Sequence, residues 1–115
     1  MSDRWRQASR TGLTNDDLDR AAALVKVLDS RTRLDILLLL AEKEMAVHQL
    51  VAELGKSQPL ISQHLRVLRA TGLVTSARKG REVLYALAEP GIIAIIAELA
   101  AIVDPLPTTP EPVRD

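Results

Sequence analysis

The stretch KSQPLISQHLRVLRATGLV, residues 56–74, combines an apolar stripe with a dense set of polar side chains. Ile61, Leu65 and Leu68 recur at helical spacing, which is typical of the buried side of a helix. Between them lie side chains that form hydrogen bonds: Ser57, Gln58, Ser62, Gln63, His64, Arg66 and Arg69. We therefore predict a short helix that packs on its domain by one side and presents hydrogen-bonding groups on the other.

Apolar spacing and the positions of Gly and Pro predict the elements around this helix. Three helices precede it: one capped by Thr14, one over 31–41 capped by Asp29 or Ser30, and one over 47–54 that ends at Gly55. Pro59 suits the first turn of the helix in the opening stretch, with Ser57 or Gln58 as its cap. Two strands, 73–78 and 82–87, follow around a tight turn at Lys79-Gly80, and a last helix covers 91–103. The predicted fold is mainly α with a small β-hairpin: five helices plus a two-stranded wing.

Length and composition limit the class of protein. A chain of 115 residues with 47% hydrophobic residues forms one domain, which we place at residues 14–103. Residues 1–13 are polar and are expected to form a flexible arm, and residues 104–115 hold four prolines and are expected to be disordered. The absence of cysteine excludes disulfides and thiolate metal sites. With no signal peptide and no apolar run of membrane-spanning length, we expect a soluble cytoplasmic protein without a membrane partner.

Charge is distributed unevenly although the formal net charge is zero. Residues 55–87 carry six Lys and Arg residues against Glu82, a local charge of +5. Residues 88–115 carry five acidic residues against Arg114, a local charge of −4. A nearby polyanion responds to the local field rather than to the sum over the chain, so the basic region is compatible with nucleic-acid binding.

The order of the predicted elements is that of a winged helix-turn-helix. Two helices meet at Gly55, and a hairpin with three cations in four residues follows the second helix. The polar side of that helix fits the major groove, where amides and hydroxyls read base edges, and cations at the hairpin tip can bind phosphates. A merely solvated surface is the alternative for both features. The predicted DNA-binding residues are Ser57, Gln58, Ser62, Gln63, His64, Arg66, Arg78, Lys79 and Arg81.

Three segments resemble the ArsR/SmtB family of bacterial winged-helix repressors: DSRTRLDIL at 29–37, SQPLISQHLRVLR at 57–69 and GLVTSARKGREVLYAL at 72–87. The resemblance covers roughly residues 18–103. It implies a homodimeric repressor that occupies a double-stranded DNA operator and is released by an effector, often a metal ion. It also assigns groove reading to the polar residues over 57–64, and backbone contact to the cations over 78–81.

The metal-binding elements of that family are incomplete here. Where the family carries Cys-Val-Cys or Cys-Val-His, this chain has Ala46-Val47-His48. Near the two ends of the last helix, where the family's second site has histidines, the chain has Glu89-Pro90-Gly91 and Ile102-Val103-Asp104-Pro105. A tight zinc or nickel site needs three or four ligands, so we expect no metal cofactor and no metal sensing through either family site.

The last helix, GIIAIIAELAAIV, is apolar almost all round. One side can pack on its own domain, and the other would be a large exposed patch on a monomer. A second copy of the chain would cover that patch in a two-fold dimer, whereas an internal core helix is the alternative. The predicted dimer interface consists of Ile92, Ile95, Ile96, Leu99, Ile102 and Val103.

The function that these features favour is that of a sequence-specific DNA-binding transcriptional regulator, a homodimeric repressor of the ArsR type. An enzyme is disfavoured, because the chain has no nucleophile elbow, phosphate-binding loop or metal-ligand cluster. Two alternatives are a metal-responsive repressor with an unrecognised site around His48 and a winged helix that binds protein instead of DNA. The operator, the regulated genes and the effector do not follow from the sequence.

Overall fold

The computed structural model describes residues 11–103, so the predicted tail and most of the predicted arm lie outside the described residues. The helices are α1 (Asn15–Leu28), α2 (Arg31–Glu42), α3 (Val47–Leu54), α4 (Gln58–Ala70) and α5 (Gly91–Ile102). The strands are β1 (Met45–Ala46), β2 (Val74–Lys79) and β3 (Glu82–Leu87). The five predicted helices and the winged helix-turn-helix fold are confirmed.

The sheet has three strands where the sequence predicted two. β1 pairs antiparallel with the outer side of β3, which gives the order β1-β3-β2. Met45 lies opposite Tyr85 and Ala46 opposite Leu84. A two-residue strand is too short to show an alternating pattern, and it exists only because β3 provides a partner for its backbone.

Side-chain caps fix where three helices begin. The Thr14 hydroxyl accepts the Asp17 N–H at 3.0 Å, and the Asp17 carboxylate accepts the Thr14 N–H at 2.8 Å, which forms a capping box. Ser30, rather than Asp29, caps α2 by accepting the Arg33 N–H. Ser57, rather than Gln58, caps α4, so Gln58 is the first helical residue.

Two glycines with positive φ set the turn before α4 and the turn of the hairpin that follows it. Gly55 ends α3 in the left-handed region, with φ 67° and ψ 26°, as predicted. In the hairpin, Lys79 pairs with Glu82, so the turn consists of Gly80 and Arg81 and lies one residue later than predicted. Gly80 has φ 66°, and a glycine tolerates this value in the first turn position, which allows β2 to continue through Lys79.

The core lies between the helices and the inner side of the sheet. Its fully buried side chains are Ile36, Leu37, Leu50, Ile61, Leu65, Leu68 and Val74. α4 contributes the three residues of the stripe predicted from the opening stretch, so its polar side faces outward. Within residues 11–103, no helix has both the length and the apolar content needed to cross a membrane.

Candidate nucleic-acid interface

The outward side of α4 carries the predicted base-reading residues. Gln58, Gln63 and Arg66 are exposed, and Ser62 is half-buried. Ser57 is exposed too, but its Oγ accepts the Leu60 N–H at 3.3 Å, so its hydroxyl already has one role as the helix cap. Three amide or guanidinium side chains are therefore free to extend from one helix surface. The amides can donate and accept hydrogen bonds at base edges, and the guanidinium can donate them.

His64 differs from its neighbours because it faces the interior side of the motif. It is half-buried, and its Nδ1 lies 3.2 Å from a terminal guanidinium nitrogen of Arg33 on α2. Burial first, and the positive charge of Arg33 second, lower the pKa of His64 below its ordinary value of 6.5. At neutral pH the side chain is thus an uncharged imidazole.

The predicted wing cations lie at the tip of the hairpin. Arg78, Lys79 and Arg81 are all exposed. Lys79 Nζ is 2.9 Å from the Glu44 carboxylate, just before β1. Both side chains of this pair are about half exposed, and such surface pairs contribute little stability. A phosphate can therefore replace Glu44 as the partner of Lys79 at small cost.

A second side-chain contact joins the hairpin to α3. His48 Nε2 is 3.1 Å from the Glu82 carboxylate. His48 is the residue that the metal-responsive alternative depended on, and here its neighbour Ala46 is a buried strand residue. Among residues 11–103, no three His, Asp or Glu side chains are grouped so that they could hold a metal ion.

A cleft of about 350 Å³ separates α3, the beginning of α4 and the hairpin. Gln58 lines it from α4, and Arg81 lines it from the hairpin turn. The fold therefore brings a predicted base-reading residue and a predicted phosphate-binding residue to one surface. These two residues are 23 positions apart in the chain, and it is packing of the hairpin against α3 and α4 that places them together.

Two residues near this surface had no place in the predicted site. Leu60 is a large apolar side chain that is 37% exposed among the polar residues of α4. The sequence feature that could have indicated an exposed Leu60 is its position outside the stripe of Ile61, Leu65 and Leu68. Arg33 contacts His64 across 31 positions, and no local pattern could have indicated that contact.

The predicted dimer residues divide into two groups on α5. Ile92 is only 3% exposed and belongs to the core of its own chain, and Ile96 is half-buried against the same core. Ile92 is therefore removed from the predicted interface, because its side chain is already covered. The exposed apolar strip consists of Ile95, Leu99, Ile102 and Val103 on or after α5, together with Val25 on α1. A cleft of about 380 Å³ is lined by Val25 and its neighbours at the end of α1 and by Leu99 of α5.

Comparison with known proteins shows which family this chain resembles. The model of the family of bacterial regulatory proteins called arsR matches residues 30–76. The transcriptional repressor SmtB of Mycobacterium tuberculosis H37Rv is 45% identical over 84 residues, which are 73% of this chain but 62% of SmtB, so the chain spans less than two thirds of that relative. The biofilm growth-associated repressor of Xylella fastidiosa 9a5c is 31% identical over 106 residues, or 89% of this chain and 93% of that protein.

A solved structure shares the fold over most of its length. The homodimeric winged helix-turn-helix DNA-binding domain of Mb0332 from Mycobacterium bovis superposes with a TM-score of 0.66 and 32% identity, covering 76% of this chain and 81% of that one. The family match spans α2 to the start of β2, and the Xylella repressor matches along nearly its whole length. Both point to the same family as the helix and hairpin order, and the chain belongs to the ArsR family of bacterial regulatory proteins.

Proposed function

We propose that this chain is a cytoplasmic, homodimeric transcriptional repressor that binds a specific double-stranded DNA operator. α4 enters the major groove, and the β2–β3 hairpin contacts the phosphate backbone beside it. The observation that carries this proposal is the shared surface on which Gln58 of α4 and Arg81 of the hairpin lie. A helix that reads bases and a cationic hairpin can bind one duplex together only if they face the same way.

The side chains of α4 match the chemistry of the major groove. Gln63 and Gln58 can each donate and accept, which suits the paired donor and acceptor of adenine, and the Ser62 hydroxyl can serve either role. Leu60 adds an exposed apolar group. The thymine methyl is the apolar feature of the major groove, so Leu60 gives α4 a way to prefer thymine.

The exposed apolar strip supports the dimer. Val25 and Ile102 are more than half exposed in the single chain, and Leu99 is about half exposed. A two-fold contact through α1 and α5 covers all three. The related Mb0332 domain is homodimeric. Two copies of α4 then meet successive major grooves about 34 Å apart, which predicts an operator with two-fold symmetry.

The test begins with selection of a preferred duplex from random sequences, followed by affinity measurements on that duplex and on a scrambled one. Ser62→Ala and Gln63→Ala should weaken specific binding by about 1–3 kcal/mol each, and should change scrambled binding little, because a lost base contact acts only on the correct sequence. Selection that enriches no sequence, across several salt concentrations, would contradict the proposal and would favour a winged helix that binds protein.

A further inference from the structure

Arg33 joins three helices through one guanidinium group. Its Nε donates to the Val27 carbonyl at 2.6 Å, and one terminal nitrogen donates to the Lys26 carbonyl at 3.4 Å. Both acceptors are at the end of α1. The other terminal nitrogen lies 3.2 Å from His64 Nδ1 on α4, while Arg33 itself is in the first turn of α2. One side chain thus connects the end of α1, the start of α2 and the middle of α4.

The contact with Arg33 determines where His64 carries its proton. A guanidinium group has only donors, so His64 Nδ1 must be the acceptor in this hydrogen bond. An imidazole whose Nδ1 accepts is neutral and bears its hydrogen on Nε2. A second proton on Nδ1 would remove the acceptor and place two positive charges against each other.

The other nitrogen of His64 is available to a ligand. Nδ1 and Nε2 flank the Cε1 atom, and their in-plane bonding directions diverge widely, so an N–H on Nε2 does not point at Arg33. Among the contacts within residues 11–103, Nδ1 is the ring atom of His64 that forms a hydrogen bond. His64 is on the same helix as the exposed Gln63, one position further along. Because His64 is only half-buried, part of the residue stays exposed at the border of the polar side of α4, which is where we place its Nε2–H donor.

We propose that Arg33 is a positioning residue for DNA binding: it holds His64 as the neutral Nε2–H form, which donates a hydrogen bond to an acceptor atom of the duplex. This inference rests on the proposed function, because it names how one residue of α4 meets DNA. The acceptor is a base-edge atom or a phosphate oxygen, and both are hydrogen-bond acceptors of the same kind.

The same guanidinium also relates α4 to the dimer surface. α1 carries Val25 of the exposed apolar strip, and the two carbonyls that Arg33 holds follow Val25 directly. The orientation of the base-reading helix is consequently tied to the helix that contacts the second copy. Loss of Arg33 should loosen the spacing between the two copies of α4 as well as the ring of His64.

The first experiment uses the free protein and does not depend on DNA binding. Nitrogen NMR of the histidine rings gives the tautomer and the titration midpoint of His64 in the wild type, in Arg33→Met and in Arg33→Lys. Arg31→Met is the matched control, because Arg31 is on the same helix but pairs with Asp35. We expect the Nε2–H form in the wild type and a higher titration midpoint of His64 in Arg33→Met, since the repelling charge is gone, with no change in the control.

If circular dichroism shows that Arg33→Met is unfolded, Arg33→Lys supplies the comparison, because lysine keeps the positive charge but lacks the planar guanidinium group. The titration midpoint of His64 should then stay low while its tautomer becomes mixed.

The second experiment measures affinity for the selected duplex. His64→Gln can place an amide N–H near the position of Nε2, whereas His64→Asn reaches only the position of Nδ1. We expect His64→Gln to stay within about threefold of the wild type and His64→Asn to lose tenfold or more, which corresponds to about 1.4 kcal/mol. Arg33→Met should weaken the wild type but should cost little more in the His64→Asn background, because both changes remove one interaction. A loss confined to the selected duplex assigns the acceptor to a base, and an equal loss on scrambled DNA assigns it to a phosphate.

Three results would overturn the inference: a proton on Nδ1 in the wild type, a His64 titration that ignores Arg33, or equal affinities of His64→Gln and His64→Asn. Failure of the proposed function gives a different result. In that case the wild type binds no DNA sequence preferentially, while the ring still carries its proton on Nε2 in the free protein.

Discussion

Replacement of Arg81 by alanine should lower the salt dependence of DNA binding by a definite amount. Arg81 is exposed in the hairpin turn, beside Gly80, and it lines the same cleft as Gln58. Unlike Lys79, which pairs with Glu44, it has no acidic partner among the ion pairs of residues 11–103. The substitution therefore removes one cation without leaving an unpaired carboxylate behind.

The expected change follows from the number of phosphates released. Each phosphate neutralised by a cation contributes about 0.9 to the slope of log affinity against log salt on duplex DNA. A dimer carries two hairpins, so Arg81→Ala should reduce the slope by about 1.8. Between 50 and 200 mM salt, a slope difference of that size changes the ratio of wild-type to variant affinity by about 12-fold. The variant should accordingly be much weaker than the wild type at low salt and closer to it at high salt.

Fluorescence anisotropy with a labelled duplex at four or more salt concentrations measures these slopes. Arg20→Ala is the control, since Arg20 pairs with Asp17 on α1 and is not part of the hairpin. The slope of the control should equal that of the wild type. An Arg81→Ala slope that also equals the wild type would refute phosphate contact by the hairpin turn, however much the affinity itself changed.

Three further outcomes are expected. Replacement of the contacted thymine by deoxyuridine should weaken wild-type binding about fourfold for each half-site that is changed, about 0.8 kcal/mol for one buried methyl group, and Leu60→Ala should abolish that difference; a duplex scan in which no thymine shows the effect would exclude the contact. Leu99→Glu should give monomers in sedimentation experiments because it places a charge in the exposed apolar strip, whereas Leu60→Glu, on the DNA side, should remain dimeric; a dimeric Leu99→Glu would argue against this interface. Burial and Arg33 lower the pKa of His64, so its contribution to stability should be complete above pH 6.5 and be lost as the pH falls through the lowered pKa. A change from pH 7.5 to pH 5.5 should therefore lower the free energy of unfolding, measured with urea, more in the wild type than in His64→Gln. Equal losses in the two proteins would contradict this origin.

Local chemistry made most of the fold predictable. The stripe of Ile61, Leu65 and Leu68 defined the buried side of α4, and all three residues are in the core. Gly55 stands at the end of α3 in the conformation that glycine favours. Where two neighbouring residues could cap a helix, the sequence left the choice open, and the serine was used at both Ser30 and Ser57. The short serine hydroxyl reaches the N–H three residues later, which is the geometry that a cap requires.

The candidate site was predictable as a set of residue types but not as an arrangement. The spacing of Ser62, Gln63 and Arg66 indicated one polar helix surface, because helical periodicity relates residues within one turn of each other. The same periodicity places His64, three residues after Ile61, beside the buried stripe and Gln63 on the opposite side, but it does not indicate that Arg33 of α2 is the partner of His64. The same limit applied to α5, where an almost entirely apolar sequence could not separate the buried Ile92 from the exposed Leu99.

The sequence by itself determined the five helices, the two strands of the hairpin, the motif that shows the family and the chemistry available on α4, because propensities, caps and periodicity act over a few residues. Only the tertiary structure decided what meets across long stretches of chain: β1 with β3, Arg81 with Gln58 in one cleft, and Arg33 with His64. These contacts arise when α2, α4 and the sheet bury their apolar sides against one another, and that packing fixes the positions of side chains far apart in sequence. Hydrogen bonds such as that of Arg33 with His64 then depend on distances that no local pattern encodes.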